Sequence, residues 1–302
     1  MPIAPYLKKN DKIAIVSTAR KISSAEIEAA ATLAESWGLE VVLGKSIDAT
    51  YHQYAGNDNL RLQDFQYAIN DDSIKAIWCA RGGYGTTRII DDIDFRNFIK
   101  NPKWICGFSD ITVLHNHIHS LCATPTIHSM MCINAAETSD EMLASAESLR
   151  QCLMGERIKY NFSAHQLNRR GSAMSEIIGG NLSLIYSLAS TQSDIDTTGK
   201  ILLIEDIDEQ LYHIDRMMLQ LKRSGKLDNL AGLIVGGFTD MKDNNTPYGK
   251  TAEEIIAEHV AEFDYPVCYH FPIGHQKNNM AIKLGCKGLL TILEKEVNFN
   301  QS

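Results

Sequence analysis

The chain has 302 residues, 44% apolar and 22% charged, which excludes a disordered chain, a collagen-like repeat and a mini-protein that needs staples. Its 29 Lys and Arg stand against 37 Asp and Glu, a formal net charge of −8, whereas general binding to a nucleic-acid backbone needs a basic surface. The length suits two domains at a prior of about 150 residues each.

The first apolar run, over 13–16, is too short for a signal-peptide core. No later stretch approaches the roughly 18 apolar residues of a spanning helix, so a cytoplasmic location without membrane contact is expected. A strand is predicted over 12–17 and a helix from Ser23 or Ser24 to about Trp37, stopped by Gly38. Strands follow over 39–43 and 74–80, with a short helix over 60–69 between them. Arg81-Gly82-Gly83-Tyr84-Gly85 is a glycine-rich turn, and a helix is expected through Arg88 and Ile89. A strand over 104–107 leads into a helix over 110–121, where Ile111, Leu114, Ile118 and Leu121 recur at steps of three and four. This alternation argues for an α/β fold, with a largely parallel N-terminal sheet flanked by helices.

A helical stretch near 141–153 ends in a polar, irregular segment, the best linker candidate. The expected division is residues 1–155, a linker over 156–171, and a smaller C-terminal domain over 172–302. In that second part strands are predicted over 200–204, 233–236, 267–270 and 288–292, and helices near 181–188, 209–223 and 251–261. A polar loop spans 240–250.

Ser109 falls where a buried strand turns into an amphipathic helix. A hydroxyl there stands at the positive end of the helix, where developing negative charge is favoured. This is the logic of a nucleophile elbow, although Gly107-Phe108-Ser109-Asp110 is not the hydrolase G-x-S-x-G. Ser109 also reads as a simple helix cap. The amides of the Gly82-Gly83 turn could hold an oxyanion or a phosphate, or the turn could be a plain one. It lacks the Gly-Lys-Ser/Thr of a phosphate-binding loop and the spacing of a dinucleotide fingerprint.

Glu205 follows a buried strand and is the acid best placed to orient a histidine; Asp206, Asp208 and Glu209 are partly explained by capping the next helix. His275, between Gly274 and a polar run, is a loop histidine suited to general-base work or simply exposed. His115 and His119 have zinc-ligand spacing, but Asn116 stands where the zinc-peptidase motif needs Glu. The seven cysteines include no CxxC pair and read as buried small hydrophobes in a reducing compartment. Neither a metal nor a cofactor is indicated.

Taken in order, Arg81-Gly82-Gly83-Tyr84-Gly85, Gly107 to Thr112, Gly179-Gly180-Asn181-Leu182, Leu203-Ile204-Glu205-Asp206, Tyr212 to Met217 and Gly274-His275 resemble the LD-carboxypeptidase family of serine peptidases. The resemblance implies a Ser109–Glu205–His275 triad, with an oxyanion hole from the amide of Asp110 and an amide of Gly82 or Gly83. It implies a β-rich C-terminal domain, an active site between the domains, and a homodimer. The implied substrate is a small murein peptide that loses a C-terminal D-amino acid, most typically the D-Ala of murein tetrapeptide in cell-wall recycling. A related branch, similar to microcin C self-immunity proteins, hydrolyses peptidyl or aminoacyl nucleotide amides. A small-metabolite binding protein is the alternative of another class. Asp208 stands where family members often have Gly, and Ile204 where they have Leu or Phe. Arg81, flanking the glycine turn, is a candidate for the terminal carboxylate, or a structural ion pair.

Overall fold

The computed structural model describes residues 3–302. The first half runs β1 (Lys12–Val16), α1 (Ser24–Ser36), β2 (Glu40–Leu43), α2 (Asp58–Asn70), β3 (Ile74–Cys79), α3 (Arg96–Lys100), β4 (Trp104–Gly107), α4 (Thr112–Cys122), β5 (Thr126–His128) and α5 (Asp140–Met154). The second half runs β6 (Ile158–Ser163), β7 (Gly171–Asn181), α6 (Leu182–Ser187), β8 (Ile201–Ile207), α7 (Leu211–Arg223), β9 (Gly232–Thr239), α8 (Ala252–His259), β10 (Val267–Cys268), β11 (Ile282–Leu284), β12 (Lys287–Ile292) and β13 (Glu296–Gln301). No helix among the described residues is long and apolar enough to cross a membrane.

Two sheets result. The first has the order β11-β5-β4-β3-β1-β2, and every pair in it is parallel except β11 with β5. Its central strands are buried on both faces, as a parallel sheet covered by helices requires. The second has the order β10-β9-β8-β7-β12-β13-β6, parallel from β10 to β7 and antiparallel from β7 to β6. The helices start where local chemistry caps them. Ser23 and Glu26 form a capping box on α1, and Thr251 and Glu254 form one on α8.

Three features differ from the sequence reading. The helix expected through Arg88 and Ile89 is a pair of 3-10 turns, Thr86–Arg88 and Ile90–Asp92. The Thr86 amide is held by the Asp110 carboxylate, and Arg88 is drawn to Asp58, so no continuous helix forms there. The segment 156–171, expected to be irregular, contains β6, which pairs antiparallel with β13. Its Ile158 and Tyr160 face inward while Lys159 and Asn161 face water, so an edge strand carries the composition of a loop. Finally, β11 belongs to the sheet of the first half although it lies far into the second. At three residues it offers no periodicity to read.

Candidate active site

Between the end of β4 and the start of α4 lies one 3-10 turn, Ser109–Ile111. Ser109 adopts φ +60°, a left-handed conformation that is uncommon for a residue with a side chain and is concentrated at functional sites. Neighbouring bonds fix it there. The Ile111 amide donates to the Phe108 carbonyl at 3.1 Å, and the buried Asp110 carboxylate accepts from the Thr86 amide at 2.9 Å. Burial pushes the Asp110 carboxyl above its ordinary value. Gly82 lies directly against the serine: a Cβ on it would sit 3.2 Å from Ser109 Cβ and 3.3 Å from Oγ. Among the described residues, no acceptor takes a hydrogen bond from the amides of Gly82, Gly83 or Asp110.

Glu205 sits in β8 at an irregularity of the ladder. Ile204 faces Val235 and Asp206 faces Phe238, so Gly236 and Gly237 together oppose Glu205. A bulge of this kind re-aims a side chain. It also admits the loop that follows β10. The Gly237 amide donates to the Ile273 carbonyl at 2.9 Å, and a Cβ on Gly236 would lie 2.6 Å from that same oxygen. A Cβ on Gly274 would lie 2.6 Å from the Glu205 side chain. Only backbone without side chains packs this closely.

The loop thereby delivers His275 to Glu205. His275 Nδ1 is 2.6 Å from Glu205 Oε2, and the His275 amide donates to the same oxygen at 3.1 Å. Glu205 is fully buried and the His275 side chain is 14% exposed, enough for one edge to reach a ligand. Burial alone would lower the His275 pKa, but the carboxylates of Glu205 and Asp206 more than offset it and the net shift is upward. Glu205 is the mirror case. Burial raises it, His275 and His128 lower it, and the net shift is downward.

The His275 ring lies 4.7 Å from the Phe108 ring, beside the residue that precedes Ser109. Among the described residues no hydrogen bond joins Ser109 Oγ to His275; such contacts are often long before substrate binds. Asp206 points elsewhere. It accepts from Asn181 Nδ2, the Ser183 amide and the Ile207 amide at 2.9 Å each, and burial beside Glu205 pushes it up to about 7. The Asn181 amide in turn donates to Thr112 Oγ1 at 2.9 Å, tying the second sheet to the helix behind the serine. Asp208 takes φ +63°, a conformation that suits glycine and that aspartate tolerates, and it pairs with Lys242 at 2.6 Å.

The other sequence candidates separate. Arg81 stands 3.8 Å from Glu26 at a cavity with Lys21, Ser23 and Asp48, apart from the one that His275 lines. His115 meets the Gly107 carbonyl, His117 meets Ser193, and His119 stands 3.5 Å from Glu176. The three histidines of α4 therefore have three different surroundings. The cysteines are all free, and all are buried but the half-buried Cys286.

Sequence reasoning missed three contributors. Gly236-Gly237 at the end of a strand was a readable signal for a close approach. Asn279 Oδ1 accepts from the Gly274 amide at 2.9 Å and so braces the histidine loop, which only the fold reveals. His128 is fully buried at the end of β5 with neither ring nitrogen hydrogen-bonded, and burial holds it down at about 4. A cavity of about 560 Å³ opens beside His275, lined also by Phe108, Met130, Glu137, Asp240, Lys277 and Asn279.

An α/β fold of two sheets, the first parallel-rich, agrees with comparison to known proteins. The chain belongs to the LD-carboxypeptidase family: the model of the LD-carboxypeptidase N-terminal domain matches residues 13–129 and that of the C-terminal domain matches residues 174–290. It is 35% identical to the probable murein peptide carboxypeptidase of Bacillus subtilis, over 96% of this chain and 91% of the relative. It is 30% identical to the murein tetrapeptide carboxypeptidase of Pseudomonas aeruginosa, over 92% of each chain. Among solved structures, muramoyltetrapeptide carboxypeptidase from Oxalobacter formigenes superimposes with a TM-score of 0.87 at 24% identity, over 96% of this chain and 98% of the other. The microcin C7 self immunity protein MccF, in complex with aspartyl sulfamoyl adenosine, superimposes with a TM-score of 0.90 at 19% identity, over 100% and 99%. These two likenesses establish the shared fold.

Proposed function

We propose that the protein is a serine LD-carboxypeptidase that removes the terminal D-Ala of murein tetrapeptide, with Ser109 as nucleophile, His275 as base and Glu205 as its orienting acid. The observation that carries this reading is the buried Glu205–His275 bond of 2.6 Å on a loop that reaches the flank of the strained Ser109 turn. With Nδ1 engaged by the carboxylate, the His275 Nε2 lone pair is left to accept the Ser109 proton. Ser109 Oγ then bonds to the carbonyl carbon of the L-centre, and the carbonyl π pair moves onto oxygen. The free amides of Asp110 and of Gly82 or Gly83 receive that oxyanion; losing one such donor typically costs about 10²–10³ in rate. Collapse breaks the C–N bond, and His275 gives its proton to the departing amine. A water molecule, deprotonated by the same nitrogen, releases the acyl group and restores Ser109. The relatives named for murein peptides support this substrate.

The reading extends to a cytoplasmic location and a homodimer, which cell fractionation and light scattering of the purified protein check.

The test is a substrate panel followed by mass spectrometry. Wild type should release D-Ala from murein tetrapeptide and leave the all-L analogue intact, while S109A and H275A should lose at least about 10³-fold in rate. Hydrolysis by S109A at the wild-type rate overturns the assignment. Preferred cleavage of an aminoacyl sulfamoyl adenylate moves the substrate to the nucleotide-amide class.

A further inference from the structure

A carboxypeptidase must find the free carboxylate at the end of its substrate, and Arg81 opens onto a different cavity from His275. The leaving amine takes its proton from His275 in the mechanism above, and only one carbon separates that amine from the terminal carboxyl group. The carboxylate therefore comes to rest within a few bond lengths of His275. The cavity of about 560 Å³ opens beside His275, and Lys277 and Asn279 line it as well.

Asn279 is the informative residue there. It is 5% exposed. Its Oδ1 accepts from the Gly274 amide at 2.9 Å, and since an amide N–H can only donate, the carboxamide is fixed with oxygen toward Gly274. The Asn279 main-chain amide donates to Ser145 Oγ at 2.9 Å, so the residue is held at both ends. Its Nδ2 is buried with no acceptor, although buried donors are almost always satisfied. Lys277, two residues earlier on the same loop, is exposed and forms no ion pair among the described residues. The cavity's two carboxylates, Glu137 and Asp240, come from other loops.

We infer that the Nδ2 group of Asn279, with the Lys277 ammonium, receives the terminal carboxylate of the substrate, making Asn279 the residue that restricts cleavage to the chain end. The inference rests on the proposed carboxypeptidase reading. One residue would then serve two partners, its oxygen bracing the histidine loop and its nitrogen checking that the substrate ends there.

Calorimetry separates the two. In an S109A background, which binds without turnover, murein tetrapeptide and its C-terminal amide are titrated in turn. S109A should bind the free acid more tightly than the amide. In S109A/N279D the Oδ acceptor for Gly274 remains while the donor becomes an anion. Affinity for the free acid should fall about 10–100-fold, the range of a charge-assisted hydrogen bond, and affinity for the amide should stay. S109A/K277M should show the same selective loss. In the otherwise wild-type enzyme, N279D should raise KM, and its new carboxylate beside the histidine loop should move the acid limb of the pH profile upward rather than downward. Equal loss for acid and amide, or no loss, overturns the subsite. Full hydrolysis by S109A overturns the nucleophile assignment instead, so the two failures are distinct.

Discussion

Glu205 and His275 each carry a charge that burial disfavours, and each holds the other's. The consequence is a direction for the pH profile. In the proposed mechanism His275 works as the neutral base, and its pKa is held above the ordinary 6.5, so kcat/KM should fall with acid through a midpoint higher than that of a free histidine. E205Q removes the raising partner and leaves the burial, so the midpoint should drop below the wild-type one. The rate should fall by about 10³–10⁴, the loss seen when a triad acid is neutralised. A limb that stays in place in E205Q would show that another group controls it. The same pair contributes to stability in opposite pH windows. The lowered Glu205 contributes above its ordinary range and loses that contribution as acid protonates it. The raised His275 contributes below 6.5 and loses its share as alkali deprotonates it. Asp206, pushed up to about 7, binds a proton in the folded state that the unfolded chain has released, so it makes stability fall as pH rises from its ordinary value of 3.8 toward 7.

At the scale of elements, the site depends on where β8, β9 and the loop after β10 touch. Gly236→Ala places a methyl 2.6 Å from the Ile273 carbonyl, and that loop carries His275. Overpacking of this kind costs about 1–3 kcal/mol, and a displacement near 1 Å at a catalytic group costs about 10² in rate. The expected result is a lower Tm with a much larger loss in kcat, read by calorimetry and steady-state assay; full kcat would mean the loop adapts. The central elements were legible because their signals are strong. The strand over 104–107 and the helices carrying Ile27 or Ile214 are written in clear apolar patterns, Ser109 and His275 follow strand ends, and Glu205 lies near the end of β8, where ligands meet α/β sheets. The edge strand β6 and its neighbour β13 alternate polar and apolar residues in polar surroundings, and β11 is too short to show a period. Asn279 was illegible for another reason: its importance is a relation to Gly274 and an open cavity, which no local pattern encodes.

The whole molecule joins its halves through backbone as well as through the site. Thr112 on α4 takes the Asn181 amide, and β11 crosses over to close the first sheet. A fragment of residues 1–171 should therefore lack a sharp unfolding transition and associate through the bare edge of β5, which size-exclusion chromatography and calorimetry would detect. A monomeric, cooperatively unfolding fragment would show that the first lobe stands alone. The crossing strand also bears on how the chain comes to be active. Pairing of Ile282 with His128 spans more than half the sequence, and contacts of such separation form late because a long loop must close first. On the ribosome, the lobe that holds Ser109 emerges with one edge of β5 unpaired, and residues 282–284 follow only after the whole second sheet's parallel strands. Ser129, the residue after β5, donates its amide to the carbonyl of Gly107 at the mouth of the serine turn. Ser109 thus precedes Glu205, His275 and the strand that covers β5 in synthesis, and the proposed site can assemble only once all of them have emerged.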